Sequence, residues 1–185
     1  MNTDLSNTLL LLARNAICGQ LGAEHPADPE ISAHPALAQA GATFVTLTQN
    51  GELRGCIGSL EAHRPLYQDV SANAVAAASR DPRFPPLTVG ELSSIRVEVS
   101  LLTPARSMHF ASEADAIAQL RPHIDGVVLE YGRHRGTFLP QVWESLPEAS
   151  QFMAQLKRKA GLPPNFWSNE LRLSRYQVEK WKESA

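Results

Sequence analysis

The chain reads as an α+β protein, with antiparallel sheets flanked by helices. Three observations lead there. Helical and strand periodicities are interspersed along the chain without the repeated strand–helix–strand spacing of a parallel sheet. Two segments carry hairpin signals, one around Asn50-Gly51 and one around Gly132-Arg133-His134. At 185 residues, with 43% hydrophobic and 19% charged content, the chain is long and apolar enough for one ordinary domain with a proper core and room for two lobes.

Asp4 to Gln20 sets Leu5, Leu9, Leu12, Ala13 and Ala16 at helical spacing, and Gly19 and Gly22 are its stop signals. A polar loop with Pro26, Pro29 and Pro35 follows. Ala42 to Thr48 is β-branched and aromatic, and Asn50-Gly51 supplies the positive φ angles of a type I′ turn. The second strand returns from Glu52 to Leu60. Alternation places Arg54, Cys56 and Gly58 on one of its faces and Leu53, Gly55 and Ile57 on the other. Pro65 to Ser79 forms a helix with Leu66, Val70, Ala74, Ala77 and Ala78 as its buried stripe, the alanines permitting close packing beneath the hairpin.

Arg80 to Pro86 is irregular because its three prolines prevent regular hydrogen bonding. Ile95, Val97, Val99 and Leu101 alternate with Arg96, Glu98 and Ser100, the pattern of a half-buried strand that Pro104 ends. Ser112 caps a helix over Glu113 to Leu120, with Asp115 in its first turn. Val127 to Tyr131 and Arg135 to Leu139 pair across Gly132-Arg133-His134. Leu139 to Trp143 is a strand-to-helix junction that sends Trp143 into the core and leaves the Gln141 amide available. Pro147 and Glu148 open a helix through Ala160, ended by Gly161 and Pro163. Leu171 to Trp181 is taken as one final strand.

A net charge of −2 and a pI near 6.3 give no basic footprint, which argues against nucleic acid as a partner. Basic residues gather only in the turn Arg133-His134-Arg135 and on a solvated helix face at Lys157-Arg158-Lys159. Two cysteines make neither a disulfide framework nor a zinc site of the usual kind, and Cys18 reads as a packed thiol or an inert helix-end residue. The apolar run at residues 8–13 is too short to cross a bilayer, and Asp4 stands where a leader would be basic. The expectation is a cytoplasmic protein with no membrane partner.

The candidate site is the hexapeptide Leu53-Arg54-Gly55-Cys56-Ile57-Gly58. Two glycines in a strand indicate close approach by another backbone or a ligand, and Gly58 leaves space beside the cysteine sulfur. Cys56 is a candidate nucleophile if a cation or base favours its thiolate; otherwise it is a small packed hydrophobe. Arg54 is able to bind a carboxylate or phosphate bidentately, or to clamp an acidic neighbour such as Asp81. Arg80, Arg83 and Phe84 sit in a proline-rich loop that forms either a pocket wall or a packed connection. His63 and His134 are the candidate bases, while His25, His34, His109 and His123 read as loop or surface residues. Glu61, Asp69 and Asp81 either sit near the site or are caps and solvated groups, the commoner role for charges close to a turn or helix start. No metal-ligand motif, phosphate-binding loop or dinucleotide fingerprint occurs, so no metal is assigned and the cofactor is left unknown.

The hexapeptide resembles the signature of the AMMECR-one domain family. The resemblance extends in order through Arg64-Pro65-Leu66, Asp69-Val70, Asn73-Ala74, and the stretch Ala77-Ala78-Ser79-Arg80-Asp81-Pro82-Arg83-Phe84-Pro85-Pro86-Leu87. It continues through Glu98 to Thr103 and Gly136 to Trp143. Prokaryotic members are similar to AmmeMemoRadiSam system protein A. The resemblance implies one domain over residues 1–185, made of two unequal subdomains, the larger holding both ends of the chain, with the signature facing a cleft between them. It implies a cleft-binding protein that acts with Memo-like and radical-SAM proteins on a peptide, protein or small-molecule ligand. The alternative is a cysteine-dependent enzyme using Cys56 in a modification pathway. Leu53 to Gly58, Arg83 and Phe84 are the residues expected at the site.

Overall fold

The computed structural model describes residues 3–184. Helix α1 (Thr3–Gln20) ends where Gly22 adopts a φ of +69°. A short helix α2 (Pro35–Ala38) follows, with proline in the first turn, where its missing N–H costs nothing. Strands β1 (Ala40–Gln49) and β2 (Glu52–Gly58) form the hairpin, and Asn50 and Gly51 take φ values of 52° and 85° as a type I′ turn requires. β2 stops at Gly58, two residues before the expected Leu60. A two-residue strand β3 (Arg64–Pro65) leads into α3 (Leu66–Ser79), whose buried residues include the whole apolar stripe read from the sequence. Strand β4 (Ile95–Leu102) completes the sequence-predicted part of this sheet.

The chain divides into two units; the first runs to Leu102 and resumes at Glu179, and the second is Thr103–Val178. In the first unit the sheet order is β2-β1-β4-β9, where β9 spans Val178–Lys182 and β3 pairs with the beginning of β1. β1 is antiparallel to β2, β3 and β4. The core joins α1 (Leu9, Leu12, Ile17) and α3 (Val70, Ala74, Ala77) to the inward residues Val45, Leu47, Val97 and Val99. Burial of the larger of these side chains, at roughly 1.5–3 kcal/mol each, is the main stabilising term.

In the second unit strands β5 (Arg106–Ser107), β6 (Gly126–Tyr131), β7 (His134–Phe138) and β8 (Arg172–Tyr176) form an antiparallel sheet in the order β5-β8-β6-β7. Helix α4 (Glu113–Gln119) is capped by Ser112, whose hydroxyl accepts from the Asp115 N–H at 3.1 Å. Helix α5 (Ala149–Lys159) ends at Gly161, with a φ of +84°. Trp143 is fully buried, stacks on Phe152 at 3.8 Å, and donates its indole N–H to the Asp125 carbonyl.

Four expectations are corrected here. The segment from Leu171 to Trp181 is two strands in different sheets; Gln177 leaves the ladder to exchange hydrogen bonds with Thr103, donating to its Oγ1 and accepting from its N–H. The second hairpin turns through Gly132 and Arg133 alone, because His134 already pairs with Tyr131. Lys157 is not on a solvated face: its side chain is fully buried, its Nζ donates to Glu113, and it lies 5.5 Å from the Trp167 ring. His34 is also buried, at the start of α2.

Candidate functional site

The two signature glycines are needed for different reasons. A Cβ on Gly55 would stand 2.2 Å from the Ala77 carbonyl oxygen, so the strand lies directly against the α3 backbone. This is the close approach read from the sequence. A Cβ on Gly58 would stand 2.2 Å from Cγ of Phe44, its partner on β1. The space that Gly58 leaves is therefore filled by the Phe44 ring, which corrects the expectation of a vacant spot there. A register shift opposite Leu47 and Thr48 leaves Arg54 as the extra residue of a bulge and interrupts the strict alternation. Consequently Arg54 is buried while Leu53 is exposed, and Ile57 packs partly against the core.

Arg54 does not clamp Asp81. Its Nε and Nη2 donate to the two oxygens of Glu91, at 2.9 and 3.3 Å. Glu91 Oε2 also accepts from the N–H and hydroxyl of Thr88, both at 2.9 Å, closing a capping box over the turn at Val89–Glu91. The Arg54 guanidinium first, and the Thr88 N–H after it, lower the Glu91 pKa to about 2.

Asp81 has a different task. Its Oδ2 accepts the Cys56 backbone N–H at 2.9 Å and Arg83 Nη2 at 2.6 Å, while Oδ1 accepts Arg83 N and Nε at 3.1 and 2.9 Å. Arg83 Nη2 also reaches the Cys56 carbonyl at 3.5 Å. β2 is an edge strand, so this Asp-Arg pair satisfies the outward backbone groups of Cys56 where a neighbouring strand would otherwise sit. The Arg83 guanidinium holds the Asp81 carboxyl far below the usual carboxylate range; burial opposes this, and the Cys56 N–H reinforces it. The guanidinium carbons of Arg83 and Arg54 lie 5.5 and 6.0 Å from the Phe84 ring centroid, which joins the two ion pairs into one wall.

The thiol of Cys56 is half-buried and accepts a hydrogen bond from Thr46 Oγ1 at 3.2 Å. Neither candidate base is held against it by a described hydrogen bond. His63 is exposed and bonds the Glu61 carbonyl, and His134 lies in the second unit, where its Nδ1 meets the Ala160 carbonyl. Cys18 is buried, as expected of a packed thiol. Among the described residues there is no group of three or more His, Cys, Asp or Glu placed to hold a metal ion.

The sequence reading missed a second polar centre. Asp69 is fully buried, and five donors converge on it: Thr43 N and Oγ1, Asn73 Nδ2, Ser59 Oγ and Arg64 Nε, all within 3.0 Å. It is neither a cap nor solvated. Asn73 also donates to the Thr43 carbonyl, fixing α3 to β1 just beyond the hexapeptide. The signal was present in the spacing. Asp69 and Asn73 are an i,i+4 pair on the buried face of α3, where a polar residue requires partners.

A profile of the AMMECR1 family, the AMMECR-one family of the resemblance above, matches residues 10–181. The chain belongs to the AMMECR1 family. Its relatives include a Methanothermobacter thermautotrophicus protein, 38% identical over 192 residues, covering all of this chain and 97% of that one. A Sulfolobus acidocaldarius protein is 37% identical over 180 residues, covering 92% of this chain and 77% of its own length. The crystal structure of uncharacterized protein PH0010 from Pyrococcus horikoshii matches with a TM-score of 0.74 and 32% identity, over 95% of this chain and 89% of that one. This AMMECR1-family chain thus has an α+β fold shared with a solved relative. Among its described residues no helix is long and apolar enough to cross a membrane.

Proposed function

We propose that this AMMECR1-family chain is a cytoplasmic binding protein, working as one domain, whose recognition face comprises Leu53 to Gly58 with Arg83 and Phe84. On this reading it acts with Memo-like and radical-SAM proteins in an AmmeMemoRadiSam system, and its ligand is a peptide, a protein segment or a small molecule. One observation carries the proposal: the Asp81 carboxylate locks the Cys56 backbone and the Arg83 guanidinium together, while 54% of the Arg83 side chain stays open to solvent. A braced cation with half its side chain open suits recognition of an acidic group, since its geometry is fixed before the ligand arrives. The test is co-purification with Memo-like and radical-SAM proteins. Arg83→Ala and Phe84→Ala are expected to abolish retention while leaving the chain folded. Absence of association, or association indifferent to both substitutions, would refute the proposal.

A second reading keeps Cys56 as a nucleophile. The hydroxyl of Thr46 donates to the sulfur, and the Arg83 guanidinium reaches the carbonyl of the same residue. Under this reading iodoacetamide at neutral pH labels Cys56 well before Cys18, and Thr46→Val slows the labelling. Equal inertness of the two thiols would remove the nucleophile.

A further inference from the structure

Helix α3 carries a second feature, lined by none of the residues of the proposed recognition face. A groove of about 690 Å³ runs along it, within the first unit, from Tyr67 in its first turn to Arg80 at its C-cap. Those thirteen steps of helix correspond to about 20 Å. The walls are apolar and small: Leu12 and Ala16 from α1, Ala72 and Val75 from α3, and Pro29 and Ile31 from the connecting loop. The loop wall is fixed in place, because Asn15 Nδ2 donates to the Pro26 carbonyl at 3.0 Å and to Asp28 Oδ1 at 2.8 Å.

The polar groups of the lining are unequal. Tyr67 Oη already accepts from Gln68, Ser71 Oγ donates to the Tyr67 carbonyl, and one Asp28 oxygen is taken by Asn15. Arg80 differs: among the described residues its guanidinium has no hydrogen-bond or ion-pair partner, although it lines the groove. The volume falls within the range of small-molecule sites, and such sites combine apolar walls with a few directed polar groups. We infer that this groove binds an elongated apolar carboxylate of the acyl-chain type, its tail along Ala16, Ala72 and Val75 and its head on Arg80. The inference does not rest on the recognition face proposed above.

The experiment is calorimetric titration of the full chain with dodecanoate, dodecanol and dodecylamine, each below its micelle concentration. Dodecanoate is expected to bind saturably and about tenfold more tightly than dodecanol, the difference a charge-assisted hydrogen bond supplies. Arg80→Gln should bring the two to equal affinity. Ala72→Trp, at an exposed position on α3, should abolish both by filling the groove. Amide chemical shifts on titration should change along α1, residues 28–31 and α3, a readout that does not depend on any variant folding. Preference for dodecylamine would assign the anchor to Asp28 and overturn the inference. So would binding unaffected by Ala72→Trp, shift changes elsewhere, or no saturable binding of dodecanoate.

Discussion

Gly55 and Gly58 offer a comparison in which the same distance has two different remedies. A methyl group at either position falls 2.2 Å from its obstacle, about 1 Å or more inside any tolerable contact. At Gly58 the obstacle is the Phe44 side chain; at Gly55 it is the carbonyl of Ala77, part of the α3 backbone. Neither glycine has a positive φ, so the backbone itself accepts alanine and gains slightly from reduced chain entropy. Overpacking costs about 1–3 kcal/mol, and a rigid helix puts Gly55→Ala at the upper end of that range. The assay is a pair of double-mutant cycles with Phe44→Ala, read by urea unfolding. Gly58→Ala should lose most of its penalty in the Phe44→Ala background, giving a coupling of about 1–3 kcal/mol, while Gly55→Ala should couple by no more than about 0.5 kcal/mol. With a urea m-value of about 2 kcal/mol/M, a 2 kcal/mol loss shifts the midpoint by about 1 M. Equal rescue of both glycines by Phe44→Ala, or a Gly55→Ala protein as stable as wild type, would refute this account of the motif.

Three further outcomes follow from the polar groups. Asp69→Asn sets an amide N–H₂ among five donors and is expected to cost about 3–5 kcal/mol in urea unfolding. Glu113→Gln leaves the buried Lys157 cation without its carboxylate and should cost about 3 kcal/mol, whereas Lys157→Met leaves only a partly exposed Glu113 and should cost less than about 1 kcal/mol. The acid limb of stability should be shared by two carboxyls whose folded pKa values are depressed. Glu91 titrates from 4.5 in an unperturbed chain to about 2 here, so its contribution is complete above the upper value and is lost as pH falls toward the lower. Asp81 behaves in the same sense and persists to still lower pH. Glu91→Gln should flatten the stability profile between pH 4.5 and 2, measured as urea midpoint against pH, and an unchanged slope would contradict the Arg54–Glu91 assignment.

Local signals were legible and distant ones were not. Asn50-Gly51 announces its turn because the φ preference resides in those two residues, and Ser112 announces a cap because the N–H it accepts from is three residues away. The stripe on α3 is readable for the same reason. Arg54 could not be assigned to Glu91 over Asp81, since the choice depends on a bulge opposite Thr48 and on how a proline-rich loop folds back. Lys157 carries no mark that separates it from Lys159, and only the placement of Glu113 and Trp167 makes its burial tolerable. The break at Gln177 was invisible because both halves of the segment have strand character. The Asp69 centre is legible in principle, because Asp69 and Asn73 form a polar i,i+4 pair inside an apolar stripe.

The paired hydrogen bonds between Thr103 and Gln177 also describe how the chain is laid out. β4 and β9 are neighbours in one sheet, and Glu183 N bonds the Val97 carbonyl, so the two strands run antiparallel with Thr103 opposite Gln177. Residues 103–177 are therefore topologically a hairpin loop between β4 and β9, one that has acquired a sheet, two helices and a core of its own. Replacing residues 103–177 with a two-residue turn between Leu102 and Val178, which face each other in this register, is expected to leave every strand of the first sheet in register. The fold thus has a natural excision point, and the candidate site and the groove on α3 both lie on the part that remains.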